Sequence, residues 1–90
     1  MLQLGKVVMT RGIADKVAED VQFADAVINC VKRHANCDWG DLSEEDKKIN
    51  DEAVENGESI LSAYNINGVK IWIITEWDRS CTTILFPEEY

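Results

Sequence analysis

Residues 59–76 read SILSAYNINGVKIWIITE. At their centre, Asn67-Gly68 is the pair that a two-residue type I′ turn prefers, because both of its central residues need positive φ. Ser59 to Ile66 on one side and Val69 to Glu76 on the other are rich in Ile, Val, Tyr and Trp, so the stretch is predicted to be a β-hairpin. Trp77-Asp78-Arg79-Ser80 then reads as a turn, and Cys81 to Phe86 (CTTILF) as a third strand ended by Pro87. Val69, Ile71 and Ile73 alternate with Lys70, Trp72 and Ile74, which predicts that both faces of the middle strand are partly covered. Helices are expected on one face, with Trp72 and Trp77 shielding the other or marking a contact surface.

Upstream of the hairpin the period changes. Ser43 followed by Glu44-Glu45-Asp46 is an N-cap with acids in the first helical turn. The helix is predicted over residues 44–55 and ends at Asn56-Gly57. Its apolar face is thin (Ile49, Ala53, Val54), so most of it must face water. Residues 36–40 (NCDWG) read as a loop. Phe23, Val27, Cys30, Val31 and His34 form an amphipathic stripe over residues 23–35, and Ile13, Val17 and Val21 form another over 13–21. These are two helices or one bent helix, with Thr10 as the candidate N-cap. Residues 2–10 read as a strand with Gly5 as a bulge or close-approach point. The expected fold is α+β: an antiparallel sheet of three to four strands (a C-terminal meander plus the N-terminal strand) packed on two to three helices. Ninety residues form one domain over 1–90.

Charge is the strongest functional signal. The net charge is -8, and it is unevenly spread. Residues 1–37 carry five basic and four acidic groups, whereas 38–90 carry thirteen acids and four bases. Direct nucleic-acid binding needs a basic footprint against phosphates, which this pattern lacks. A dense acidic face suits a basic protein partner or mimicry of a phosphate backbone.

Catalytic and metal chemistry find little support. Three cysteines without a CxxC pair argue against a disulfide framework and for reduced thiols. Cys30, His34 and Cys37 at i, i+4 and i+7 could offer zinc three ligands, with Asp38 or Cys81 as a fourth. The simpler reading is that Cys30 and His34 continue the core stripe from Phe23. A Cys–His nucleophile lacks an orienting third group. Asp38, Asp41, Glu44, Glu45 and Asp46 could attract a hard cation, but their spacing is not that of an EF-hand loop, and helix capping explains them. There is no glycine-rich dinucleotide loop, P-loop or HExxH. No catalytic residue, metal or cofactor is expected. Asp78 and Ser80 would close their turn through side-chain hydrogen bonds, with Arg79 free to bind an anion or pair with the acidic loop. Trp39 is either a recognition anchor or a plug at the core edge. The N-terminus has no charged region followed by a long apolar run, and Ile71 to Thr75 is far too short to span a bilayer, so a cytoplasmic location is expected.

Asp38-Trp39-Gly40-Asp41-Leu42, Glu45-Asp46, Asn50, Leu61-Ser62-Ala63-Tyr64, Ile71-Trp72-Ile73-Ile74-Thr75-Glu76, Asp78-Arg79-Ser80-Cys81-Thr82-Thr83-Ile84-Leu85 and the ending Pro87-Glu88-Glu89-Tyr90 together resemble a family of short bacterial proteins. These are carried on plasmids and integrative elements and are labelled plasmid-related or, at times, a restriction–modification subunit. Members commonly read Ala where Trp77 stands and an apolar residue such as Val where Cys81 stands. The chain has no room for a cofactor-binding α/β methylase domain and no glycine-rich loop for one. The resemblance implies a setting in mobile DNA, where small acidic proteins protect the element against host defence. The leading expectation is therefore an acidic accessory protein, in one version a DNA mimic, that binds and modulates or inhibits a basic, nucleic-acid-binding host defence protein. Its expected partner-binding residues are Asp38, Trp39, Asp41, Glu44, Glu45, Asp46, Asp51, Glu52, Glu55, Asp78 and Arg79. The competing expectation is a regulatory adaptor, homodimeric in one version, that uses Trp39, Trp72, Trp77 and the sheet edge. Neither involves direct nucleic-acid or membrane contact.

Overall fold

The computed structural model describes all 90 residues. The chain runs β1 (Lys6–Met9), α1 (Arg11–Glu19), α2 (Val21–Ala35), α3 (Glu44–Asn56), β2 (Ile60–Ile66), β3 (Val69–Thr75), β4 (Cys81–Leu85) and a closing 3-10 turn (Pro87–Glu89). The hairpin forms as its turn chemistry predicts. Asn67 and Gly68 take φ of 51° and 86°, and the Asn65 side chain accepts the Gly68 N–H at 2.8 Å. Ile66 then faces Val69 and Ile60 faces Thr75.

The sheet order is β1-β4-β3-β2. The α+β architecture is as read from the sequence, with one correction: the sheet is mixed. β3 pairs antiparallel with β2 and β4, but β1 lies parallel to β4, with Val7 opposite Thr82 and Met9 opposite Ile84. Three helices and the hairpin separate these strands, and a connection of that length permits the parallel pairing that a short turn forbids.

Two helices, not one bent one, follow β1. Asp20 leaves the helical region (φ −134°, ψ 104°), and its carboxylate accepts the Phe23 N–H to cap α2. At α1 the cap differs from the expected one. Thr10 occupies the N-cap position without capping the helix through its side chain; its hydroxyl instead donates to Glu89 Oε1 at 2.5 Å. Glu89 also accepts the N–H groups of Gly12 and Phe86. A carboxylate from the last turn thus satisfies the first turn of α1, and these bonds hold it below the usual carboxylate range, the Thr10 hydroxyl first among them. Gly5 is a close-approach point, since a Cβ there would overlap the Arg79 and Ser80 backbone.

All helices pack on one face. Ile13 from α1 and Phe23, Val27 and Cys30 from α2 meet Tyr64, Ile66, Ile71, Ile73 and Ile84 of the sheet in one buried cluster. Ala53 of α3 joins Leu2, Trp39 and Ile60 in a smaller one. Between the clusters runs a buried polar row. His34 bonds Ser62 Oγ through Nδ1 and Thr75 Oγ1 through Nε2 (2.8 Å); Thr75 meets Thr82 Oγ1 at 2.7 Å, and Thr82 donates to the Leu4 carbonyl at 2.7 Å. On the opposite face Trp72 is half-buried, with Tyr90 edge-on at 5.8 Å. Trp77 is exposed in its turn and shields nothing. No helix is long and apolar enough to cross a membrane.

Candidate partner-binding surface

The acidic segment is a loop and helix held to the sheet by polar bonds. Ser43 caps α3 by accepting the Asp46 N–H at 3.1 Å, and Gly57, left-handed, ends it. Of its thin apolar face only Ala53 is buried; Ile49 and Val54 stay exposed. Burial this slight stabilises a helix poorly, and specific hydrogen bonds take its place. The Asn50 amide grips the Leu61 backbone at both N–H and C=O. Asp51 accepts the Trp39 indole N–H at 2.9 Å. Arg79 donates to the carbonyls of Ala53 (3.0 Å), Glu58 (2.7 Å) and Glu76 (3.1 Å). The Ala53 and Glu58 bonds place a cation at the negative end of the helix dipole, where α3 has no basic residue of its own.

The loop ahead of the helix is equally tied down. Arg33 grips Asp38 with two bonds, of 2.7 and 3.2 Å, and lies over the Tyr64 ring at 4.8 Å. Tyr64 donates its hydroxyl to the Asp38 carbonyl at 2.6 Å. The Arg33 guanidinium holds the Asp38 carboxyl below the usual carboxylate range. Gly40 has φ +74°, and a Cβ on it would overlap the Ala63 carbonyl oxygen. That contact lets residues 39–41 lie along β2: Ala63 donates to the Trp39 carbonyl at 3.2 Å, and the Asp41 N–H donates to Ala63 at 2.7 Å.

Several expected binding residues therefore have internal roles. Trp39 is only 3% exposed; contrary to the expectation of an exposed contact residue, it is a plug at the core edge. Nor is Arg79 a free contact residue, because its guanidinium is occupied by three carbonyls. Asp78 closes its turn by accepting from the Ser80 N–H and hydroxyl. Asp38 and Asp51 are exposed yet carry the bonds just described. Asp41, Glu44, Glu45, Asp46, Glu52 and Glu55 remain open to water, with Lys47 near Glu44 at 3.6 Å. On the helical wheel, Glu44, Asp51, Glu52 and Glu55 share one solvent crest with Lys48. Beside it a groove of about 300 Å³, lined by Leu42, Ile49, Leu61 and Asp46 among others, runs between α3 and β2.

The Cys30–His34–Cys37 triplet does not assemble. Cys30 is in the core, where burial raises its thiol pKa, and both His34 nitrogens are hydrogen-bonded. Cys37 lies exposed beyond the end of α2. No three His, Cys, Asp or Glu side chains come together as a metal site. Sequence reasoning missed two parts of this surface, the Asn50 clamp and the groove beside Ile49; the signal for the clamp was a polar residue at a core-facing position of α3. No family model, curated protein or solved structure matches the chain.

Proposed function

We propose that this chain is an acidic accessory protein of a mobile element that engages a basic, nucleic-acid-binding host defence protein through α3 and its preceding loop, and inhibits or modulates it. One observation carries the reading. The water-facing side of α3 is built mainly of carboxylates, while Asn50, Asp51 and Arg79 tie the helix to β2, to Trp39 and to the β3–β4 turn. A rigid acidic array keeps its geometry on binding, so little ordering entropy opposes the contact. It can compete for a groove lined with Lys and Arg that otherwise holds phosphates. The neighbouring groove between Leu42, Ile49 and Leu61 offers an apolar contact within reach of the charge. The resemblance to proteins of plasmids and integrative elements supplies the setting.

Capture from host lysate tests it. A basic protein should bind at low salt and be released at high salt. The triple variant Glu45→Lys/Glu52→Lys/Glu55→Lys should capture none of it. A partner held equally in high salt, a partner held equally by the triple variant, or no partner at all overturns the proposal.

A further inference from the structure

The two edges of the sheet are treated differently. β2 is closed off: Asn50 takes the Leu61 backbone, and residues 39–41 take that of Ala63. β1 is left open. Its bonds to β4 include the N–H groups of Lys6 and Thr10, which point inward, so strand alternation turns the N–H and C=O groups of Val7 and Met9 to the free edge. The side chains of Val7 and Met9 stand on the helix face, in register with Thr82 and Ile84, yet they are 45% and 46% exposed. With Val27, Ile28 and Val31 of α2 they line an apolar groove of about 400 Å³. Ile28 itself is 55% exposed. An open, apolar edge strand is a template for another strand.

We propose that this edge is a homodimer interface, in which β1 pairs antiparallel with β1 of a second copy about a two-fold axis through Val8. Strand parity allows only registers that pair Val7 and Met9 with residues of the same kind, and among these the axis through Val8 is the one that pairs the two with each other. Placing Val8 on the axis sets Val7 opposite Met9 of the other copy, so the outward-turned amides of these residues exchange four hydrogen bonds. The same register keeps both helix layers on one side of a continuous eight-stranded sheet, because facing residues in a pair point to the same face. A shift by one residue fails both conditions. Val27, Ile28, Val31 and Lys32 of α2 share the groove with Val7 and Met9, so this part of the helix lies beside the axis. Two α2 helices then run antiparallel with Ile28 against its symmetry mate. Asp25 and Lys32 lie three residues before and four after Ile28, symmetric about the middle of the helix, and neither has an ion-pair partner within the chain. In the antiparallel pair Asp25 of each copy stands level with Lys32 of the other. Such self-complementarity is what a two-fold contact requires. A foreign strand would gain the backbone bonds but has no reason to match this charge pair, which is why a second copy is the occupant.

Sedimentation of the whole chain from low micromolar to millimolar concentration tests the proposal. The mass should rise from 10.2 kDa toward twice that value. Ile28→Glu, at an exposed position, should raise the dissociation constant by about tenfold or more. Asp25→Lys and Lys32→Asp should each weaken association by setting like charges face to face, and the double exchange should recover it. A chain that stays at 10.2 kDa throughout overturns the proposal and leaves the edge to a strand of another protein. So does a dimer indifferent to Ile28→Glu, or a double exchange no better than either single change. The α3 surface takes no part in this contact, so either result leaves the capture experiment independent.

Discussion

His34 donates its Nε2–H to Thr75 Oγ1 at 2.8 Å, and the bonds beyond that contact dictate the direction. Thr82 must give its hydroxyl hydrogen to the Leu4 carbonyl, which can only accept. Thr82 therefore accepts from Thr75, and Thr75 accepts from His34. Ser62 is left to donate to Nδ1. The five groups form one directed chain that ends on a backbone carbonyl and requires the neutral Nε2–H tautomer. Ser62 and His34 resemble a nucleophile and its base, but both are fully buried, so the pair has a structural role. Nitrogen NMR of the single histidine should show that tautomer at pH 7; a predominant Nδ1–H form would contradict the chain.

The same burial predicts how stability depends on pH. It lowers the His34 pKa from 6.5 to about 4. The unfolded chain therefore binds the extra proton first, and stability is full above about pH 6.5 and falls as the pH drops toward 4, levelling off below. The shift corresponds to about 3 kcal/mol across that window. Denaturant unfolding at stepped pH measures the slope, and His34→Gln, less stable at pH 7, should lack it. An imidazole titrating near its ordinary value in the folded protein would refute this.

Removing a hydroxyl from the row should be costly, and keeping it should not. Thr75→Val strands the His34 N–H and removes the bond to Thr82, at a cost of about 1–3 kcal/mol for the unpaired buried group. Thr75→Ser retains both bonds and should lie much closer to the parent chain in denaturant midpoint. Equal losses in the two variants would mean that packing of the Thr75 methyl matters more than its hydroxyl.

How far the sequence foretold these features depends on the range of the interaction responsible. Asn67-Gly68, Ser43 and Gly57 act within a turn of their own position, and the elements they mark were legible. Asp20 was not decisive, because an acid between two apolar stripes suits a bend as well as a cap. The direction of β1 was hidden, since it depends on how three helices cross the sheet. Arg79 and Glu89 are the clearest cases of long-range action. Each satisfies a helix end brought near it only by the fold, and nothing adjacent in sequence distinguishes either from an ordinary surface charge. The polar row was half visible: His34 was read as part of the core stripe, but its partners Ser62, Thr75 and Thr82 come from three different strands.

Gly40 predicts a local failure with wider consequences. Gly40→Ala adds a Cβ where the Ala63 carbonyl already stands, at a φ that L-residues rarely adopt. The loop must lift from β2, losing the bonds of Trp39 and Asp41 to Ala63. Destabilisation should exceed about 1 kcal/mol, with Trp39 becoming accessible to a fluorescence quencher. A variant with unchanged midpoint and quenching would show that the loop is not held this way.

Glu55 separates stability from binding. It lies in the last turn of α3, close to the negative end of the helix dipole, where a carboxylate is unfavourable and where the chain supplies Arg79 in compensation. Glu55→Gln should therefore raise stability, by on the order of 0.5 kcal/mol, while weakening capture of a basic partner at low salt. Glu44 makes the contrast: in the first turn its charge favours the dipole, so Glu44→Gln should lower stability slightly and weaken capture as well. If Glu55→Gln stabilises the protein without altering capture, the crest of α3 is only a solvated face and the partner-binding surface lies elsewhere.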